Sequence, residues 1–170
     1  MADGTLKVGT ITNSAGSGNI TIGSGVTVNV NRPSFFAYAN AVQAVADSTD
    51  TKVNLDTESW DTDSAFNTST YRFTVPTGQA GKYFFNGGIG YTSLTDNDES
   101  RVMIYKNGSL VNWWKYFQGQ NGTIAVQNSV ILDLAVSDYI ELYAYQVSGG
   151  SKNTASGSIN TYLTGYKLGA

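Results

Sequence analysis

Apolar and polar positions alternate with period two along most of the chain, the pattern of strands that bury one face. After Tyr71-Arg72-Phe73-Thr74-Val75-Pro76, the residues Tyr83, Phe85, Gly87, Ile89 and Tyr91 fall on one face of a second extended segment. Pro76 has no donor for a ladder and ends the first strand, while Gly78 and Gly81 permit the turn into the next. Asn107-Gly108 suits the positive backbone angles of a tight hairpin, joining 101–106 to 110–117. Further on, Ile124, Val126, Val130, Leu132 and Leu134 alternate with Ala125, Gln127, Ser129 and Asp133, which predicts an antiparallel strand with one wet face. Residues 37–47 are ambiguous: alanine content allows a helix, yet Phe36, Tyr38, Val42 and Ala44 also fit period two.

The first 32 residues differ from the rest. Leu6, Val8 and Ile11, then Ile20 and Ile22, then Val26, Val28 and Val30 mark three short β-prone pieces separated by Gly/Ser turns. Such an arm cannot make a core alone and gains stability by pairing its free backbone groups with another strand, in a sister subunit or a larger assembly. A flexible Gly/Ser leader is the alternative, against which stands the regular alternation. Pro33 disfavours a helical conformation at Arg32, and aromatic content rises at once, so the boundary is placed to give an arm over 1–32 and a head over 33–170.

Composition narrows the class. Only 14% of the residues are charged, well below the usual quarter, so Ser, Thr, Asn and Gly must cover the surface. With 19 glycines, 11 tyrosines and two prolines, the chain suits short strands joined by turns, and the expected class is all-β. The net charge of −3 offers no basic footprint for phosphate, so nucleic acid is not an expected partner. There is no cysteine and no histidine, which removes disulfides, thiolate nucleophiles, zinc-thiolate sites and the usual general base. The N-terminus lacks the apolar core of a signal peptide and no later run approaches membrane-spanning length; synthesis in a cytoplasm and no membrane partner are expected.

The acidic clusters Asp96-Asn97-Asp98-Glu99 and Asp56, Glu58, Asp61 and Asp63 carry the hard oxygen ligands that calcium prefers, without the spacing of a known calcium loop. No metal and no cofactor is assigned. A glycoside-cleaving enzyme would need two convergent carboxylates, which spacing does not supply, and no catalytic residue is assigned.

Several segments together carry a family resemblance: Tyr71 to Pro76 with Gly81-Lys82-Tyr83-Phe84-Phe85, then Tyr105-Lys106-Asn107-Gly108, then 132–142, then Tyr162-Leu163-Thr164-Gly165-Tyr166-Lys167-Leu168. They resemble the globular head of complement first component, subunit q, and hence the tumour-necrosis-factor-like jelly roll, over roughly the last four-fifths of the chain. The resemblance implies an antiparallel jelly-roll sandwich and, since family members usually form homotrimers, a trimeric binding or structural module. The family commonly has Gly-Asp where this chain has Ser137-Asp138, and ends with Phe-Ser-Gly-Phe where it reads Tyr162-Leu163-Thr164-Gly165-Tyr166. No ligand-binding motif of an individual member is present to carry across. The 1–32 segment also looks like leaders that precede such heads in tail-fibre and virion-surface proteins of phages.

Trp113, Trp114, Tyr116 and Phe117 form the densest aromatic patch. Alternation sends Trp113 and Phe117 to one face of a strand and Trp114 and Tyr116 to the other; one face is expected in the sandwich core and the other at a subunit interface or stacking on a sugar. Tyr143 and Tyr145 share a face with Tyr139. Trp113, Trp114, Tyr116, Tyr143 and Tyr145 are therefore the candidate trimer-interface residues. The functional expectation is a homotrimeric virion structural protein, a capsid decoration or cement protein docked on the major capsid protein or another virion protein through Leu6, Val8, Ile11, Ile20, Ile22, Val26, Val28 and Val30. The alternative is a tail-fibre tip or receptor-binding knob recognising a host-surface glycan through loops such as 92–100 or 147–155.

Overall fold

The computed structural model describes residues 32–169 together with Ser24, so the docking-arm residues lie outside the described part. Every element among the described residues is a strand. In chain order these are β1 (Ser34–Tyr38), β2 (Ala44–Val45), β3 (Thr51–Lys52), β4 (Thr57–Asp61), β5 (Phe66–Asn67), β6 (Arg72–Thr74), β7 (Gly81–Leu94), β8 (Glu99–Lys106), β9 (Ser109–Phe117), β10 (Gly122–Leu134), β11 (Tyr139–Val147), β12 (Lys152–Thr154) and β13 (Tyr162–Gly169).

They form two antiparallel sheets. In the first, β4, β1, β13, β7 and β10 lie side by side, with β12 and β2 continuing beside the end of β7. In the second, the order is β5, β6, β11, β8 and β9, with β3 also against β11. The inward residues of both sheets make the core. Phe35 stacks on Phe73 at 5.0 Å and on Phe66 at 5.1 Å between ring centroids, with Phe85 and Tyr83 beside them. Tyr83, Phe85, Gly87, Ile89 and Tyr91 are all buried, as the period-two pattern of β7 predicts.

The hairpin between β8 and β9 turns at Asn107 and Gly108, with φ of 52° and 76°, the double positive angle that the Asn-Gly pair accommodates. β6 stops before Pro76, and Gly78 takes φ of 77° in the turn toward β7. β10 alternates as expected, with Val126 and Leu134 buried and Ile131 at 60% exposure. Residues 37–47 hold no helix; the buried face of β1 carries Phe35, Ala37 and then Ala39, while Val42 is exposed. The sheet into which β1 is built chooses the face. Phe35 meets the core, and Phe36 and Tyr38 point to the outside of the first sheet.

The head has two distinct ends. Arg32 Nη1 donates to the Leu168 carbonyl at 3.0 Å and Lys167 N donates to the Pro33 carbonyl at 2.9 Å, so the chain enters the head where its last strand leaves it. The Asn107-Gly108 turn and the 135–138 loop lie at this same base, since β8, β10 and β13 run toward it. The connections 95–98, 118–121 and 148–161 lie at the opposite end.

Candidate functional site

Among the described residues β9 pairs only with β8 and stands at an edge of the second sheet. In its register Trp114 lies opposite Val102 and Tyr116 opposite Ser100, both inward positions, whereas Trp113 lies opposite Met103, Lys115 opposite Arg101 and Phe117 opposite Glu99 on the outside. Neither face of β9 joins the core: Trp113 is 43% exposed, Trp114 61%, Tyr116 46% and Phe117 53%. This corrects the expectation that one face would be buried. An edge strand has one neighbour in its sheet, and across the sandwich Asn128 Nδ2 on β10 donates to Asn112 Oδ1 on β9 at 2.5 Å.

The five candidate interface residues are consequently split between two surfaces. Trp114 and Tyr116 project along the flank formed by β9 and β10. Trp113, Tyr143 and Tyr145 lie on the outer face of the second sheet, where β11 presents Tyr143 opposite Met103 and Tyr145 opposite Arg101. Met103 sits between Trp113 and Tyr143 in this register and is only 1% exposed despite its outward position.

That outer face is a network of rings and charges. The Arg101 guanidinium lies 4.9 Å from the Trp113 centroid and 4.2 Å from that of Tyr145, and it pairs with Glu99. Tyr105 and Tyr143 stack at 4.0 Å. The Tyr105 hydroxyl donates to Asp50, and burial together with this carboxylate pushes its pKa up to about 12. Glu141, 2% exposed, receives Lys52 Nζ at 2.5 Å and Arg72 Nη2 at 2.9 Å, while Arg72 lies over the Tyr139 ring at 4.2 Å. Lys115 stands 5.7 Å from the Trp113 centroid and 5.1 Å from that of Phe117.

A third apolar surface covers the outside of the first sheet. Trp60 packs on Phe36 at 5.2 Å, Phe36 stacks on Tyr162 at 5.3 Å, and Phe84 meets Tyr166 at 5.4 Å, with Ile131 opposite Phe84 on β10. Trp60 is 50% exposed and Tyr166 46%. Sequence reasoning passed over this surface. Its signal is the ring at Phe84 between core residues Tyr83 and Phe85, together with the aromatic alternation of Phe36 with Tyr38 and Tyr162 with Tyr166.

At the end opposite the chain entry, the two loops singled out from the sequence come together. Asn97 N donates to the Gln118 carbonyl at 2.7 Å, Lys152 Nζ donates to the Ser93 carbonyl at 2.8 Å and lies 3.8 Å from Asp98 Oδ2. Two of the acidic residues there are engaged: Asp98 accepts from Thr95 N at 2.6 Å, and Glu99 pairs with Arg101. In the other cluster, Asp61 accepts from Phe66 N at 2.7 Å and Asp56 from Asn40 N at 2.8 Å. Among the described residues, no three acidic side chains converge as a metal site would require.

No protein-family model and no curated protein matches the chain. Solved structures do. The globular domain of zebrafish complement 1qA protein is similar with a TM-score of 0.57 and 14% identity, covering 81% of this chain and 98% of that one. Murine APRIL matches with a TM-score of 0.60 and 12% identity over 81% of this chain and all of its own, and Eiger TNF from S. frugiperda with 0.56 and 11% over 81% and 92%. Likeness at such identities establishes fold, and with the sheet order above it makes the described head a jelly roll of the complement-head and tumour-necrosis-factor type.

Proposed function

We propose that the protein is a homotrimeric structural protein of a bacteriophage virion, a capsid decoration or cement protein attached through its N-terminal arm. The observation that carries self-association is the pair of exposed apolar surfaces that a lone head leaves in water: the flank with Trp114 and Tyr116, and the sheet face with Trp60, Tyr166 and Ile131. A flank seated on the neighbour's sheet face is a heterologous contact, and three such contacts close a ring. The virion assignment rests on the likeness of the 1–32 segment to phage leaders. Within the head, Arg32 lies at the base and loops 95–98 and 148–161 lie at the opposite end.

A tail-fibre tip is the second reading, favoured by the gathering of those loops at the distal end. Mass measurement in solution tests the first element: three chains of 18.1 kDa are expected. A monomer at micromolar concentration would refute it, and Trp114→Ala or Ile131→Lys should weaken assembly. Labelling on purified particles tests the rest. Many copies over the capsid support decoration, a few at the tail support receptor binding, and absence from particles refutes both. Deleting residues 1–31 should leave a trimeric head that no longer attaches.

A further inference from the structure

We propose that Trp113, Lys115 and Phe117, on the outer face of β9, form a subsite for acidic carbohydrate, a sugar bearing a carboxylate. This deepens the glycan-binding reading and does not depend on trimerisation. The argument begins with the cations. Lys52, Arg72, Lys82, Arg101, Lys106 and Lys152 each lie within 4 Å of a carboxylate, Arg32 donates to the Leu168 carbonyl, and Lys167 donates to Gln79 Oε1 at 3.1 Å. Among the described lysines and arginines, Lys115 alone has a side chain with no ion pair and no hydrogen bond. Its ammonium is held instead between two rings that are themselves 43% and 53% exposed.

This arrangement offers what a carboxylate sugar needs. The rings present amphipathic surfaces to the C–H face of a pyranose, and the ammonium between them keeps its donors for a charge-assisted pair. Along the strand, the four steps from Trp113 to Phe117 span about 13 Å, the length of a short oligosaccharide. A concavity of about 310 Å³ lined by Trp113, Trp114 and Lys115 lies at the strand edge beside two of these three residues. Glu99, opposite Phe117, is the nearest carboxylate in the register, and it is engaged by Arg101. The net charge of −3 does not forbid an acidic ligand, because beyond about 8 Å at physiological salt other charges are largely screened.

The test uses the full-length protein and titrates its tryptophan fluorescence with trigalacturonate and sialyllactose, against maltotriose, lactose and triglutamate. At least one of the acidic sugars should bind about tenfold more tightly than the neutral ones, the worth of one charge-assisted hydrogen bond. Triglutamate, a carboxylate without a ring, should bind no better than the neutral sugars. Lys115→Gln should abolish the preference for acid, Lys115→Arg should retain it, and Phe117→Ala should weaken acidic and neutral sugars alike, with mass and melting temperature unchanged in each. If trigalacturonate binds and sialyllactose does not, the sugar is a uronate; the reverse makes it a sialate. Equal binding of neutral sugar or triglutamate, an unaltered Lys115→Gln, or no binding by either acidic sugar overturns the proposal.

Discussion

The ring of Phe85 packs against the backbone of Gly165: a β-carbon added at 165 would lie 2.5 Å from Phe85 Cδ1, 2.8 Å from its Cε1 and 3.0 Å from the Phe84 carbonyl. Strands β7 and β13 place the two residues directly opposite each other, and the missing side chain lets the core ring lie over the neighbouring strand. Gly165→Ala should therefore destabilise the head by about 1–3 kcal/mol through overpacking, since Phe85 is fully buried and the second obstacle is backbone. Urea unfolding followed by near-ultraviolet circular dichroism checks this; an unchanged midpoint would show that Phe85 moves at no cost.

Ser137 takes φ of 71° in the loop before β11, where the family commonly has glycine. A non-glycine residue is strained there, and glycine is not. Ser137→Gly should stabilise by roughly 0.5–1 kcal/mol, strain relief exceeding the added freedom of the unfolded chain. A lower melting temperature would mean that the serine contributes more than its backbone angle costs.

Asp138 fastens the base of the head. Lys106 Nζ and Asn107 Nδ2 approach its carboxylate at 2.8 and 2.7 Å, and the hydrogen bond from Lys106, then that from Asn107, lowers its pKa to about 2. A folded value below the unfolded one makes the contribution complete above about pH 4 and lost as pH falls through about 2. Asp138→Asn should cost stability at pH 6, and the gap from wild type should close as the pH is lowered from 4 to 2. A gap that stays constant across that window would refute the assignment.

Glu141 neutralises Lys52 and Arg72 on the outer face of the second sheet, with its own side chain 3% exposed. Glu141→Gln strands two cations that are 25% and 33% exposed, so a loss of about 2–3 kcal/mol is expected, less than for fully buried charges. Lys52→Met should cost less, because Arg72 still answers the carboxylate. Thermal melts of the two variants in parallel decide the order.

Local signals were enough for the parts of the head that depend on local geometry. Asn107-Gly108 specified its turn because few other pairs tolerate two positive φ angles, and the alternation of Tyr83, Phe85, Ile89 and Tyr91 specified the inward face of β7 because a pleat repeats every two residues. The all-β class followed from composition, and the jelly roll from the family resemblance carried by Tyr71 to Pro76, Tyr105 to Gly108 and Tyr162 to Leu168. Burial of β9 did not follow, because Trp113 and Trp114 alternate whether or not another layer covers them; only the sheet order makes β9 an edge. The same holds for Phe36, whose face was settled by the sheet that β1 joins, and for the apolar patch of Trp60, Tyr162 and Tyr166, whose members are distant in sequence and meet through β1 and β13. Lys115 is one of ten cations in the sequence, and its lack of a carboxylate is a fact of pairing across strands. The sequence by itself determined strands, turns and class, each a matter of neighbours along the chain; which surfaces stay uncovered was decided by tertiary structure, because exposure depends on what stands opposite in space.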